Sequence, residues 1–112
     1  MDKETTQEFL NKLIEDKKKD LLMVRMDLTF HLQQKKSIGN EDKLRKNLKK
    51  QKEKIGPKRN LEIITTLETD INVLDNVNKK INELNAIEPQ ILEYLEFLEK
   101  NKVKFIKQGI DL

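Results

Sequence analysis

The stretch that decides the fold is 61–87, LEIITTLETDINVLDNVNKKINELNAI. Its apolar residues recur at steps of three and four, the period at which side chains return to one face of an α-helix. These residues are Leu61, Ile64, Leu67, Ile71, Leu74, Val77, Ile81, Leu84 and Ile87. Asn78 and Asn85 lie near this stripe, where a polar residue can set the register of packed helices. The stretch therefore predicts one long helix with a coiled-coil-like seam.

Glycine, asparagine and proline residues divide the rest of the chain into further helices. Gly39 and Gly56 suit the left-handed backbone that ends a helix, and Asn40 and Asn60 suit the capping position that begins one. Pro89 suits the first turn of a helix, where its missing N–H is least needed. The predicted helices run over about 6–36, 41–55, 60–87 and 90–107.

The first helix has a start signal and an ambiguous middle. Thr5 and Glu8 have the spacing of a capping box, which predicts that the helix begins there. Leu22, Met26 and Phe30 form a second apolar stripe, as in a helix that is buried on two sides. The apolar–polar alternation over 24–32 also fits a half-buried strand, although length and the flanking helix formers favour a helix.

Composition bounds the architecture. The chain has 112 residues, of which 38% are charged, 36% are hydrophobic and 4% are aromatic. This length allows one domain, 1–112, and the apolar supply allows only a thin core along narrow helical stripes. We therefore expect an all-α protein, an elongated helical bundle or antiparallel helical hairpin of three to four helices with a coiled-coil-like seam.

Charge is divided sharply along the chain. Segment 43–59 has nine Lys or Arg residues and one acid, Glu53, whereas 60–99 has nine acids and two lysines. A basic run of this kind attracts polyanions, with contacts directed at phosphates rather than at bases. The polyanion candidates are Lys43, Arg45, Lys46, Lys49, Lys50, Lys52, Lys54, Lys58 and Arg59. The alternatives are an exposed helix that maintains solubility, or one that pairs with the acidic region of a neighbouring copy.

Residues that carry catalysis are scarce. The chain has no Cys and one His, His31, which has no set of companions at metal-ligand spacing. Glu93, Glu96 and Glu99 resemble a solvated helix face, because carboxylate metal sites in helices also use histidines. No phosphate-binding loop or nucleophile-elbow pattern is present. We predict that the protein is not an enzyme and uses no catalytic residue, cofactor, metal or small-molecule ligand.

These observations predict a non-enzymatic helical protein–protein interaction module, either a homo-oligomer or a small subunit of a larger complex. The second stripe of the first helix and the seam of the third suggest apolar surface that is buried between chains. The predicted partner surface is Leu22, Met26, Phe30, Leu67, Ile71 and Leu74. One alternative is a nucleic-acid-associated regulatory protein that uses 43–59 on phosphates, and another is a small inhibitor or immunity-type protein.

The N-terminal residues and the hydropathy of the chain predict a cellular location. The first residues, MDKETTQEFLNK, lack the apolar stretch that a secretory signal peptide contains. No apolar run approaches the roughly 20 residues that a membrane span needs. We expect a soluble, intracellular, cytoplasmic protein without a membrane role, and a nuclear location stays open.

Overall fold

The computed structural model describes residues 2–109, and helices account for all the regular structure there. Helix α1 is Lys3–Ile38, α2 is Glu41–Glu53, a 3₁₀ turn is Gly56–Lys58, and α3 is Leu61–Gln108. The predicted all-helical class is confirmed for this part of the chain. The strand alternative for 24–32 is wrong, because those residues lie within α1. The sequence after the predicted last helix, 110–112, reads as a short tail, and it lies outside the described residues.

Two of the predicted helix starts are confirmed by their hydrogen bonds. The Asn40 Oδ1 accepts a hydrogen bond from the Lys43 backbone N–H at 3.1 Å. The Asn60 Oδ1 accepts from the Ile63 backbone N–H at 3.2 Å. The first backbone N–H groups of a helix have no acceptor within the helix, and each of these bonds supplies one. Helices α2 and α3 therefore begin directly after Asn40 and Asn60.

The start of α1 differs from the prediction. The helix begins at Lys3, and the Asp2 Oδ1 accepts a hydrogen bond from the Thr5 backbone N–H at 2.8 Å. The predicted capping box at Thr5 and Glu8 is therefore wrong. An aspartate is as good a cap as threonine, and its negative charge also suits the positive end of the helix dipole. Asp2 therefore begins the helix three residues earlier.

The predicted break at Pro89 is also wrong. Proline lies inside α3, which continues to Gln108, so the predicted helices 60–87 and 90–107 are one element. Four separate helices are not found in residues 2–109. One proline costs a helix interior about 3 kcal/mol. Leu84, Leu95 and Leu98 on either side are buried, at about 1.5–3 kcal/mol for each fully buried side chain, which offsets that cost.

The contacts divide the fold into two compact units. In the first unit, which takes in the described residues up to 27 and from 84 onward, α1 packs on the C-terminal part of α3. The core residues of this unit are Leu10, Ile14, Leu21, Leu95 and Leu98. Lys18 contacts Glu99 at 3.5 Å, and Arg25 contacts Glu88 at 3.2 Å. The residue numbers rise on one helix as they fall on the other, so the two segments run antiparallel.

The second unit comprises residues 28–83 and contains α2. Its buried apolar residues are Leu28, Ile64, Leu67, Ile71, Leu74, Val77 and Ile81. Most of the stripe predicted from 61–87 is therefore core. Ion pairs at Arg45–Asp75 and Lys52–Glu68 show that α2 runs antiparallel to α3. Among the described residues, no helix has the length and apolar content that a membrane span requires.

Candidate functional site

The structure separates the six residues of the predicted partner surface into two environments. Leu22, Met26 and Phe30 are 59%, 62% and 62% exposed on α1. Leu67, Ile71 and Leu74 are buried in the second unit, and Leu74 is fully buried. Both sets have the same helical spacing in the sequence, so spacing alone could not separate them. Only the three α1 residues are accessible to a partner.

Four of the exposed apolar residues of α1 lie together on one side of the helix. Met23, at 63% exposure, joins the other three, and we call Leu22, Met23, Met26 and Phe30 the α1 stripe. At 100° per residue, this stripe lies about 100–180° around the helix from the buried Leu21 and Leu28. Single exposed apolar residues are ordinary on protein surfaces, whereas adjacent ones on one helix face mark an interaction site.

Neighbouring polar side chains border the α1 stripe. Lys19 and Glu15 form an ion pair at 3.6 Å one turn before Leu22. The His31 ring meets the Phe30 ring edge-on, with 5.2 Å between centroids, and its Nδ1 lies 3.4 Å from the Gln34 Oε1. His31 thus contacts groups of its own helix at the end of the stripe. This arrangement is an apolar strip with a polar border, the general form of a protein interface.

The structure divides the nine polyanion candidates into paired and unpaired residues. Arg45 contacts Asp75, and Lys52 contacts Glu68, so these two cations are directed at α3. The other seven form no ion pair with any residue between 2 and 109, and all are exposed. We call these seven the open cations: Lys43, Lys46, Lys49, Lys50, Lys54, Lys58 and Arg59.

Arg45 of α2 forms hydrogen bonds with two carboxylates, one on its own helix and one on α3. Its Nη2 lies 3.1 Å from the Glu41 Oε1 and 2.6 Å from the Asp75 Oδ1, and its Nε lies 3.2 Å from the same Glu41 oxygen. The hydrogen bond with Glu41, followed by the charge of Asp75, raises the pKa of Arg45 above its ordinary value. The residue links α2 to α3, and its Nε and Nη2 donors are already engaged by these two carboxylates.

Helix geometry directs three of the open cations away from α3. Lys43, Lys46 and Lys50 recur at steps of three and four, so they share one face of α2. Leu44 and Leu48 are half-buried and lie about 100–160° from the three lysines at 100° per residue. Leu48 lines a groove together with Ile71 of α3, and Arg45 and Lys52 contact α3, so the three lysines lie on the far side of α2. No apolar side chain lies among these three lysines, and the exposed acids Asp42 and Glu53 border their face.

An aromatic cluster on α3 did not figure in the sequence prediction. The Tyr94 and Phe97 rings are stacked with 6.3 Å between centroids, and Phe97 lies 6.0 Å from Phe105. The Lys17 Nζ lies 5.5 Å from the centre of the Tyr94 ring, within cation–π range. The signal was available, because Tyr94 and Phe97 are three residues apart. These rings already contact one another, so they offer less apolar surface than the α1 stripe.

The described part of the chain shows no arrangement of side chains suited to a metal. Within residues 2–109, no group of three or more His, Asp or Glu side chains could hold an ion. Glu99, one of the three acids on the C-terminal part of α3, contacts Lys18. The only polar partner of the His31 ring nitrogens in this part of the chain is the Gln34 side chain.

Comparison with known proteins gives no relative from which a function can be inferred. A scan against protein-family models, a search of curated proteins and a search of solved structures each found no match. Exposure, spacing and charge are therefore the features from which a function can be inferred.

Proposed function

We propose that the protein is a non-enzymatic helical protein–protein interaction module that binds its partner through the α1 stripe. The observation that carries this proposal is the exposure of Leu22, Met23, Met26 and Phe30 on one face of a helix whose opposite face is core. A surface of this kind is costly in water and is stabilised when a second apolar surface covers it.

The strength of the interaction can be estimated from this area. Full burial of a large apolar side chain contributes about 1.5–3 kcal/mol, so covering four that are about 60% exposed contributes roughly 4–7 kcal/mol. Association itself costs about 4–15 kcal/mol in lost translation, rotation and ordering. The stripe alone thus supports weak binding at most. A stable complex needs further contacts from its polar border.

The proposed partner element is a helix. Leu22, Met26 and Phe30 recur at steps of four, the spacing of side chains that insert into the groove of another helix. A helix from a second copy, or from another subunit, would then complete a helical bundle with a coiled-coil-like seam. Both forms of the proposal predict the same contact residues.

The experiment compares oligomeric state in a stripe variant and a matched control. The stripe variant is Met26→Ala with Phe30→Ala, and the control is Leu61→Ala with Val103→Ala, whose residues are 67% and 64% exposed. Light scattering after size exclusion is measured at rising protein concentration. We expect an oligomer in the wild type and in the control, and a smaller species in the stripe variant, because only that variant loses the apolar contact.

A wild type that stays monomeric at every concentration rules out self-association. The heteromeric form is then tested by placing a photo-crosslinking residue at position 26 or at position 103 in cells that express the protein. A discrete adduct from position 26 alone supports a partner at the stripe. Equal crosslinking from both positions contradicts it.

A further inference from the structure

The open cations are a charged surface that the α1 stripe does not involve. Segment 43–59 has one acid, Glu53, and two of the acids on α3 are already used by Arg45 and Lys52. Seven cations thus have no ion-pair partner among the described residues, and Asp42 and Glu53 are the acids that border them on α2. Like charges held this close repel one another, and a bound polyanion relieves that repulsion.

Docking of α2 gives these charges a defined direction. Leu48 lines a groove with Ile71 of α3, while Arg45 and Lys52 contact Asp75 and Glu68 of the same helix. Lys43 and Lys50 are seven residues apart, which is about 10 Å along a helix. Duplex DNA carries about one phosphate charge per 1.7 Å of its axis, so an axial span of that length holds about six phosphates. Lys54, Lys58 and Arg59 continue the exposed basic surface past the end of α2.

We propose that this surface binds the phosphate backbone of nucleic acid. Lysine is depleted in the cores of protein–protein interfaces, whereas Lys and Arg supply much of the contact with phosphates. A membrane surface requires a broad apolar face beside the charges. Ile55, 86% exposed, is the one large apolar side chain exposed between residues 41 and 60. Phosphate contact therefore fits this face better than an acidic protein or a lipid surface.

The composition of the surface makes the binding insensitive to base sequence. Segment 41–60 contains no aromatic residue for base stacking. Of its two arginines, Arg45 is held by Glu41 and Asp75, which leaves Arg59 as the one open guanidinium for reading a base edge. Affinity then comes from counterion release. Seven contacts give a slope of log affinity against log salt of about −6 for duplex DNA, at about 0.9 per contact.

The test measures binding of a labelled mixed-sequence DNA duplex by fluorescence anisotropy between about 50 and 200 mM salt. The variant K43Q/K46Q/K50Q removes three outward charges from α2. The control K79Q/K80Q/K104Q removes three exposed charges elsewhere, so both variants have the same net charge. Circular dichroism establishes that each variant keeps the helical content of the wild type.

We expect the slope of the α2 variant to fall in magnitude by about 3, since each lost contact removes about 0.9. Its affinity in low salt should fall at least about tenfold, and the control should stay close to the wild type. Equal loss in both variants would show an effect of net charge alone and would overturn the proposal. A wild type whose binding is absent in low salt, or independent of salt, would overturn it too.

Two further measurements assign the binding to nucleic acid rather than to another polyanion. Poly-glutamate at equal charge concentration should displace the duplex poorly, and equal displacement would indicate an acidic-protein surface instead. Binding to anionic lipid vesicles that persists in high salt and is lost in Ile55→Ser would assign the surface to a membrane. The Met26→Ala and Phe30→Ala variant should bind DNA normally, so this proposal and the proposed function fail independently.

Discussion

The Nη2 of Arg45 lies 2.6 Å from the Oδ1 of Asp75, which joins the basic helix α2 to the acidic helix α3 of the same chain. Lys52 and Glu68 repeat this relationship at 3.4 Å nearer the other end of α2. The reversal of charge between 43–59 and 60–99 is therefore partly neutralised within the chain. The unpaired charges of Lys43, Lys46 and Lys50 lie on the far side of α2 from these contacts.

The Arg45–Asp75 pair is expected to govern the local stability of α2. In Asp75→Asn, amide hydrogen exchange in 41–53 should become faster, because α2 loses one of its charged contacts with α3. The thermal midpoint should change little, since exposed ion pairs contribute little to global stability. Glu62→Gln is the control, because Glu62 is exposed and forms no ion pair with a described residue. Equal exchange rates in both variants would contradict the anchoring role.

Leu74 is expected to be the most sensitive core position of α3. It is fully buried, so Leu74→Ala should lower the free energy of unfolding by about 2–5 kcal/mol through lost burial and a cavity. Val73→Ala in the same turn should cost far less, because Val73 is exposed. Urea unfolding followed by circular dichroism measures both. Similar losses would mean that Leu74 is not in a packed core.

Replacement of Pro89 is expected to stabilise the protein. Alanine restores the backbone N–H that can donate to the Asn85 carbonyl, and it removes the clash of the ring with the preceding turn. The gain should reach up to about 3 kcal/mol, measured as a higher thermal midpoint. Gln90→Ala is the control for helix propensity alone. A lower midpoint for Pro89→Ala would indicate that the packing around residue 89 depends on the proline.

The two connecting glycines should differ in their tolerance of asparagine. Gly56 has φ +68°, within the left-handed region that asparagine adopts, so Gly56→Asn should be nearly neutral. Gly39 has φ +117°, outside that region, so Gly39→Asn should be destabilising by about 1–3 kcal/mol. No other atom crowds either position, so the difference is one of backbone conformation. Equal thermal midpoints for Gly39→Asn and Gly56→Asn would refute this predicted difference.

The first turn of α1 is expected to loosen in acid. The Thr5 backbone N–H, as the main cause, lowers the pKa of Asp2 below its ordinary value. A lowered folded-state pKa means that the stabilisation is complete above the unfolded value of about 3.9 and is lost as pH falls through the lower folded value. The NMR chemical shift of the Thr5 amide, which reports this hydrogen bond, should therefore change as the pH falls below about 3.9. Asp2→Asn keeps the cap without a titrating group and should show no such change.

The sequence predicted those parts of the fold in which the interacting groups are only a few residues apart. Asn40 and Asn60 cap helices because each side chain reaches an amide three residues away. The same local logic failed at Thr5, because Asp2 offered an equivalent cap earlier. It failed at Pro89 as well, since local preference could not weigh the leucines that are buried on both sides of the proline.

The sequence predicted which residues form the candidate apolar and basic sets, but it could not predict which members of each set are exposed and unpaired. Leu22 and Leu67 belong to similar apolar stripes, and Arg45 and Lys46 belong to the same basic run. Leu67 is core and Leu22 is exposed, while Arg45 contacts α3 and Lys46 does not. These differences depend on which face of a helix is covered by a segment that is distant in the sequence.

By itself the sequence determined that this is a helical protein, where α2 and α3 begin, and how its charge is divided. Helical period, caps and charge runs act over a few residues, so they can be read without a partner segment. Only the tertiary structure decided that α3 runs through Pro89, that Leu67, Ile71 and Leu74 are core, and that seven basic residues stay open. Burial and ion pairing join residues that are far apart in the chain, and their free energy outweighs the local preferences.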